Sequence, residues 1–163
     1  GPFRGFKTHL YEGGIRSSLI AWGPGLLANK GLINQDSIFS AIDLVPTLLD
    51  LSNAPYPDGI QFDGESLPEI LTGKSKASRK APIFFRRPPD RDSFYGVKDL
   101  PDLAARKDQR KLLCEYDGSQ VELYNMETDR GETINVAKNY PVITKNLIQS
   151  LLTWHQSMPP DNG

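Results

Sequence analysis

The chain has 163 residues, 38% of them apolar and 24% charged, with a formal net charge of −1. That is the composition of an ordinary globular protein, and it lacks the basic excess of a nucleic-acid binder. There is no apolar run of about 18 residues to form a transmembrane span and no basic-then-apolar segment at the start, though a chain that begins mid-protein says nothing about export by that absence. The single cysteine, Cys114, excludes an intrachain disulfide without fixing a compartment.

Residues 1–16 read as a Gly-rich, basic loop. In it Lys7 stands five residues ahead of Glu12-Gly13-Gly14, and Arg16 follows two residues beyond. Adjacent glycines permit backbone conformations barred to other residues and close passage of the chain past a bound group. Lys7 and His9 on such a crowded loop suit an oxyanion site. Glu12 and Arg16, four apart and opposite in sign, are expected to pair and brace the loop.

Leu19 to Trp22 predicts a short buried strand ended by Gly23-Pro24-Gly25, and Ile33 to Phe39 an ambiguous extended segment. Asp43 to Leu51 predicts a helix with Asp43 as N-cap and Pro46 in its first turn. A shorter helix is expected near Ser66 to Leu71, closed by Gly73. Lys74 to Lys80 reads as a polar, basic linker.

Beyond it, Pro82 to Arg86, Phe94 to Lys98, Lys111 to Tyr116 and Val121 to Asn125 are strand candidates, the last two joined through Asp117-Gly118. Asp99 to Gln109 reads as a charged, partly helical insertion. Pro141 opens a terminal helix with Ile143, Leu147, Leu151, Trp154 and Met158 at helical spacing, stopped by Pro159-Pro160. The expectation for residues 81–158 is a small four-stranded antiparallel sheet covered by one amphipathic helix.

Several conspicuous residues have plain structural readings. Asp43 is expected to cap its helix rather than bind metal. His155 belongs on a helix surface, and Tyr124 and Trp154 in the core. Arg79, Lys80, Arg86, Arg87 and Arg91 could steer an anionic glycan, but a solvated linker is the preferred reading.

Four stretches resemble the type I, formylglycine-dependent sulfatases of the alkaline-phosphatase-like superfamily. Lys7 to Arg16 resembles their K-x-x-x-x-E-G-G-x-R signature. Asp43 to Leu49 resembles the D-x-x-P-T-L-L helix, and Asp63 to Leu67 the D-G-x-S-L turn. Leu123 to Asp129, with Glu132 and Asn135, resembles the L-Y-N-L-x-x-D-P-x-E-x-x-N stretch, with Met126 and Arg130 in place of Leu and Pro.

The resemblance implies an α/β fold of which this chain is the C-terminal, locally α+β portion. Residues 1–73 would edge the large domain, 74–80 link, and 81–163 form the C-terminal subdomain. It implies hydrolysis of sulfate esters, with Lys7 as the catalytic, sulfate-binding lysine, His9 as a candidate substrate contact, and Glu12, Gly13, Gly14 and Arg16 as the structure of the site. Calcium and a formylglycine are expected in the full-length protein and no cofactor in this portion: no metal ligand maps here, and Cys114, followed by Glu115 and Tyr116, is no modification site. The implied partners are a sulfate-ester substrate, with a sulfated carbohydrate as the candidate, and the N-terminal sulfatase domain, with no nucleic acid and no membrane span. The portion alone is expected to be inactive. Periplasm, lysosome or extracellular space would be the compartment. Phosphonate monoester hydrolases and phosphodiesterases of the same superfamily, or a non-catalytic sulfated-glycan-binding module, are the alternatives.

Overall fold

A computed structural model describes residues 2–28, 31–88 and 99–160. The chain divides into two compact units, residues 1–17 with 82–163, and residues 18–81.

The first unit is built on a four-stranded antiparallel sheet in the order β1-β2-β3-β4, comprising β1 (Ile83–Arg86), β2 (Leu103–Lys107), β3 (Arg110–Cys114) and β4 (Glu122–Asn125). Its register pairs Phe84 with Ala105, Ala105 with Leu112, and Leu112 with Leu123. Because successive side chains alternate across a strand, Leu103, Ala105, Leu112, Cys114 and Leu123 face one way. They bury against Leu147 and Leu151 of the terminal helix, α4 (Pro141–Ser157). Trp154 of α4 stacks on Phe84, with ring centroids 5.3 Å apart. His155 sits beside it, its ring 5.1 Å from that of Tyr116.

The opposite face is covered too. Ala104, Leu113, Tyr124 and Met126 pack against Leu10 and Tyr11. The sheet is therefore a middle layer between α4 and the N-terminal loop, whereas the sequence suggested a cover on one side only. Double-sided burial also explains the uninterrupted apolar run at Leu112-Leu113-Cys114, where alternation would mark a half-exposed strand.

The second strand differs from the sequence expectation. Residues 103–107 form β2, where a partly helical insertion was expected, and the candidate at Phe94–Lys98 lies outside the described residues, as does Arg91. Lys107 pairs with Arg110 across a two-residue turn, with Asp108 in the left-handed region at φ 49°. Asp tolerates that region better than most residues, but Asp-Gln is not a usual hairpin signal. The expected division of the chain changes as well. Residues 1–17 join the sheet unit instead of residues 18–73, because Leu10 and Tyr11 find their apolar partners on the sheet.

In residues 18–81, α2 (Leu44–Ser52) packs against the single turn α3 (Pro68–Leu71). Asp43 does not cap α2. Ser40 caps the short 3-10 turn that leads into it, and the buried Asp43 carboxylate accepts from Ser40 N and Glu65 N, both at 2.8 Å, while pairing with Arg79 Nη2 at 3.4 Å. Leu67 N donates to Thr47 Oγ1 at 2.9 Å, and Ser66 Oγ donates to Asp50. Gly64 is required by close approach: a Cβ there would lie 1.9 Å from Ile42 O. The D-x-x-P-T helix and the D-G-x-S-L turn are thus two halves of one lock.

Two further expectations fail in this unit. Leu19 to Trp22 forms no strand, and Ile20 and Trp22 are 89% and 85% exposed. A strand needs a partner for its backbone groups, and residues 18–81 supply none among those described. Nor is Lys74–Lys80 simply a solvated linker, since Arg79 is buried against Asp43 and Glu65. Arg87, another of the basic cluster, pairs with Asp102 at 2.7 Å.

Candidate functional site

Lys7 lies in a tight turn closed by His9 N donating to Phe6 O at 2.9 Å. The next residue, Thr8, has φ 85°, a left-handed conformation that a β-branched side chain strongly disfavours. Such strain persists only where the surroundings impose it. The Lys7 side chain is exposed, and it has no ion-pair or hydrogen-bond partner among the described residues. A fixed backbone with a free ammonium at its tip is what an anion contact requires.

The surroundings that impose this shape come from α1 (Glu12–Ile15), a single helical turn immediately after the loop. Gly13 N donates to Arg4 O at 2.8 Å. A Cβ on Gly13 would stand 2.2 Å from Gly5 O, and one on Gly14 would stand 2.1 Å from His9 O and 2.6 Å from Phe6 O. The two glycines therefore serve close backbone approach. Neither has positive φ, so the conformational freedom suggested by the sequence is not what they provide; Gly5, at φ 76°, is the residue in this loop that uses it.

His9 is 7% exposed. Its ring lies 4.1 Å from that of Phe6, and its Nε2 has no hydrogen-bond partner among the described residues. Burial, with Arg87 and Arg4 nearby, holds its pKa below the ordinary histidine value, so the ring is neutral near pH 7.

Two polar networks fasten the loop to the sheet, and sequence reasoning identified neither. The first gathers on Glu122 of β4. The hydroxyls of Tyr11 and Tyr124 both donate to its Oε2 at 2.9 Å. Arg4 Nη1 donates to Tyr124 Oη at 2.9 Å, and its guanidinium lies 3.8 Å from the centre of the Tyr11 ring. Burial first, and Glu122 second, raises both phenols above their usual range.

The second network is ionic and deeper. Lys111 Nζ of β3, with no exposed surface, lies 3.1 Å from Glu12 Oε1 and 2.8 Å from Glu132 Oε1. Glu132 Oε2 in turn accepts from Glu12 N at 2.7 Å. Arg16 pairs with Glu12 at 3.6 Å, the brace read from their spacing, but the shorter contact of Glu12 is to Lys111. The one sequence signal for this network was a lysine entering a strand whose next three residues are all apolar.

Other residues of the Leu123 to Asn135 stretch fix the chain on either side of Glu132. Asp129 accepts from the N–H groups of Thr133 and Ile134 at 2.9 Å each. Asn135 accepts from Leu123 N at 3.1 Å and donates to Val121 O at 3.0 Å, pairing with the edge of β4.

No group of three or more His, Cys, Asp or Glu side chains is placed to hold a metal ion among the described residues. Cys114 is buried in the sheet, which pushes its thiol up to about 12 and makes it inert as a nucleophile. No described helix is long and apolar enough to cross a membrane. The chemistry this unit can offer is a positioned cation and a neutral imidazole.

Over residues 3–157 the chain matches the family described as N-sulphoglucosamine sulphohydrolase, C-terminal. It is 31% identical to arylsulfatase K of Mus musculus over 149 residues, 90% of this chain and 26% of that protein. It is 29% identical to arylsulfatase A of Homo sapiens over 165 residues, 93% of this chain and 32% of that protein. A putative sulfatase from Bacteroides thetaiotaomicron superposes with a TM-score of 0.51 at 26% identity, over 72% of this chain and 26% of that one. Ps i-CgsB shares the fold, with a TM-score of 0.58 at 24% identity over 72% of this chain and 24% of that one. The chain spans 26–32% of the length of these two arylsulfatases. The match runs through the lysine loop, the D-x-x-P-T helix, the sheet and α4, and by it the chain belongs to the C-terminal family of the N-sulphoglucosamine sulphohydrolase-type sulfatases.

Proposed function

We propose that this chain is the C-terminal part of an enzyme that hydrolyses sulfate esters, and that Lys7 is its sulfate-binding lysine. The observation that carries the reading is the clamped turn with an exposed, unpaired ammonium at its tip, inside a sulfatase family match. A sulfate ester is anionic, and charge builds on its bridging oxygen as the S–O bond breaks. A fixed ammonium stabilises that charge without giving up a proton. His9, neutral and with Nε2 unpartnered among the described residues, is the second candidate contact, to the leaving-group side of the substrate. A sulfated carbohydrate is the proposed substrate class, in keeping with the sulfated glucosamine in the family's description. Calcium and a formylglycine nucleophile would polarise and attack the sulfate in the longer protein. In this reading Lys7's part is gripping the sulfate and stabilising its developing charge.

The test is turnover of a chromogenic aryl sulfate by the full-length protein carrying this chain. Replacing one such stabilising donor typically costs roughly 10²–10³ in kcat, so Lys7→Ala should show a loss of that order. Wild-type turnover unaffected by Lys7→Ala would remove Lys7 from the site. Faster hydrolysis of a phosphonate monoester than of the sulfate would move the assignment to that ester. The 163-residue chain alone should show no turnover with or without calcium.

A further inference from the structure

Lys111 is the most unusual residue of the sheet unit. It occupies a strand position followed by three buried apolar residues, has no exposed surface, and sits between two carboxylates. Lysine is almost never fully buried without a specific partner. A lone ion pair with this much desolvation is seldom a net source of stability, since an apolar residue of similar size often does as well. The arrangement needs another explanation, and three observations supply one.

The carboxylates come from different segments, Glu12 from α1 and Glu132 from the loop after β4, and both converge on the same Nζ. Glu132 also takes the backbone N–H of Glu12, so the first residue of α1 is held by its side chain and by its main chain. Finally, Glu132 has φ 56°, a left-handed conformation unfavourable for glutamate, directly after Gly131, which could adopt it freely. The chain keeps a strained glutamate where its carboxylate reaches Lys111 and Glu12 N. In the N-terminal segment the Lys111 and Glu132 side chains meet Glu12 of α1, and the Glu132 carbonyl accepts from Arg4 Nη1 at 3.1 Å. Gly13 and Gly14 of α1 lie so close to the loop bearing Lys7 that a Cβ on either would clash with the backbone of Arg4, Gly5, Phe6 or His9.

We infer that Lys111 and Glu132 are positioning residues for Lys7. They hold α1 against the sheet, and α1 sets the turn from which the Lys7 ammonium projects. The inference rests on the proposed sulfate-binding role of Lys7. Neither residue touches the substrate; each acts through Glu12 and the two glycines.

A double-mutant cycle in the full-length protein tests this, with kcat/KM for an aryl sulfate measured for wild type, Lys7→Ala, Lys111→Met and the double variant. A misplacement of about 1 Å at a reacting centre costs on the order of 10²-fold, so Lys111→Met should lose about that much. On the Lys7→Ala background it should lose less than about 3-fold, because the residue it positions is gone. An equal loss on both backgrounds would show Lys111 to be a general structural residue and overturn the inference. Glu132→Gln, which keeps the side chain's shape, should show the same non-additivity with a smaller loss if Lys111→Met fails to fold. Hydrogen exchange gives a readout independent of turnover. Amides of residues 4–15 should exchange faster in Lys111→Met while those of α4 do not, and unchanged protection at 4–15 overturns the anchoring. Turnover indifferent to Lys7→Ala would instead sink the functional reading, and with it the catalytic half of this one, leaving exchange to decide the anchoring half.

Discussion

Gly14 offers the sharpest test of how the lysine loop is held. In Gly14→Ala the new Cβ would lie 2.1 Å from His9 O and 2.6 Å from Phe6 O, whereas real Cβ contacts essentially never fall under 3.0 Å. The shortfalls are 0.9 Å and 0.4 Å, and both partners are backbone, so no side chain can rotate away. Either α1 lifts from the loop or the turn around Lys7 moves by nearly 1 Å. Forcing a methyl group into a filled site costs typically about 1–3 kcal/mol. At about 2–4 °C per kcal/mol for a chain of this size, the melting midpoint should fall by roughly 2–12 °C. A displacement of about 1 Å at Lys7 should lower kcat/KM for an aryl sulfate on the order of 10²-fold in the full-length protein. Gly131→Ala is the control. Its Cβ would meet Pro2 O at an ordinary 3.4 Å, and a change there should stay within about 0.5 kcal/mol. Thermal unfolding and steady-state turnover of both variants decide the matter. A Gly14→Ala protein with wild-type midpoint and wild-type kcat/KM would show that the close approach of α1 to the loop is not what fixes Lys7.

Other predictions concern the two units separately. Asp43→Ala removes a buried carboxylate that serves Ser40 N, Glu65 N and Arg79; breaking such a buried charge network costs about 3–5 kcal/mol, to be read from the denaturant midpoint followed in residues 18–81. Leu151→Ala, at a fully buried site between α4 and the sheet, should cost about 2–5 kcal/mol, whereas Val142→Ala on the exposed side of α4 should cost little; equal effects would mean the helix face is wrongly assigned. A pH effect is expected at Glu115, whose carboxyl is raised from 4.5 to about 6 by burial and then by its hydrogen bond with Asp102. The folded chain binds that proton more tightly than the unfolded chain, so the stabilisation is present below about pH 4.5 and lost as pH rises through 6. The wild-type melting midpoint should therefore decline over that interval relative to Glu115→Gln, and parallel curves would contradict the assignment.

Much of the site's address was written in the residues themselves. The spacing of Lys7, Glu12, Gly13, Gly14 and Arg16 located the loop, and Pro141 with its apolar repeat located α4, because both are local patterns. β2 escaped because Leu103-Ala104-Ala105-Arg106-Lys107 carries charge at one end and turns through Asp108-Gln109, so nothing local marks it as a strand. Its identity comes from pairing with β1 and β3. Leu19 to Trp22 shows the converse: its composition suits a strand, but composition supplies no hydrogen-bond partner.

By itself the sequence read α1 as loop but determined α2, α3 and α4, three of the four strands and the family, and it pointed to the lysine at the centre of the proposed chemistry. Each depends on neighbours within a few residues or on a recognisable run. Tertiary structure alone decided that the sheet is covered on both faces and that residues 1–17 belong to the sheet unit. It also decided that Gly13 and Gly14 serve close approach and that Lys111 lies between Glu12 and Glu132. Those facts join residues 99 and 21 positions apart, and a contact of that range exists only once the strands have aligned and the charged groups have no water left to choose.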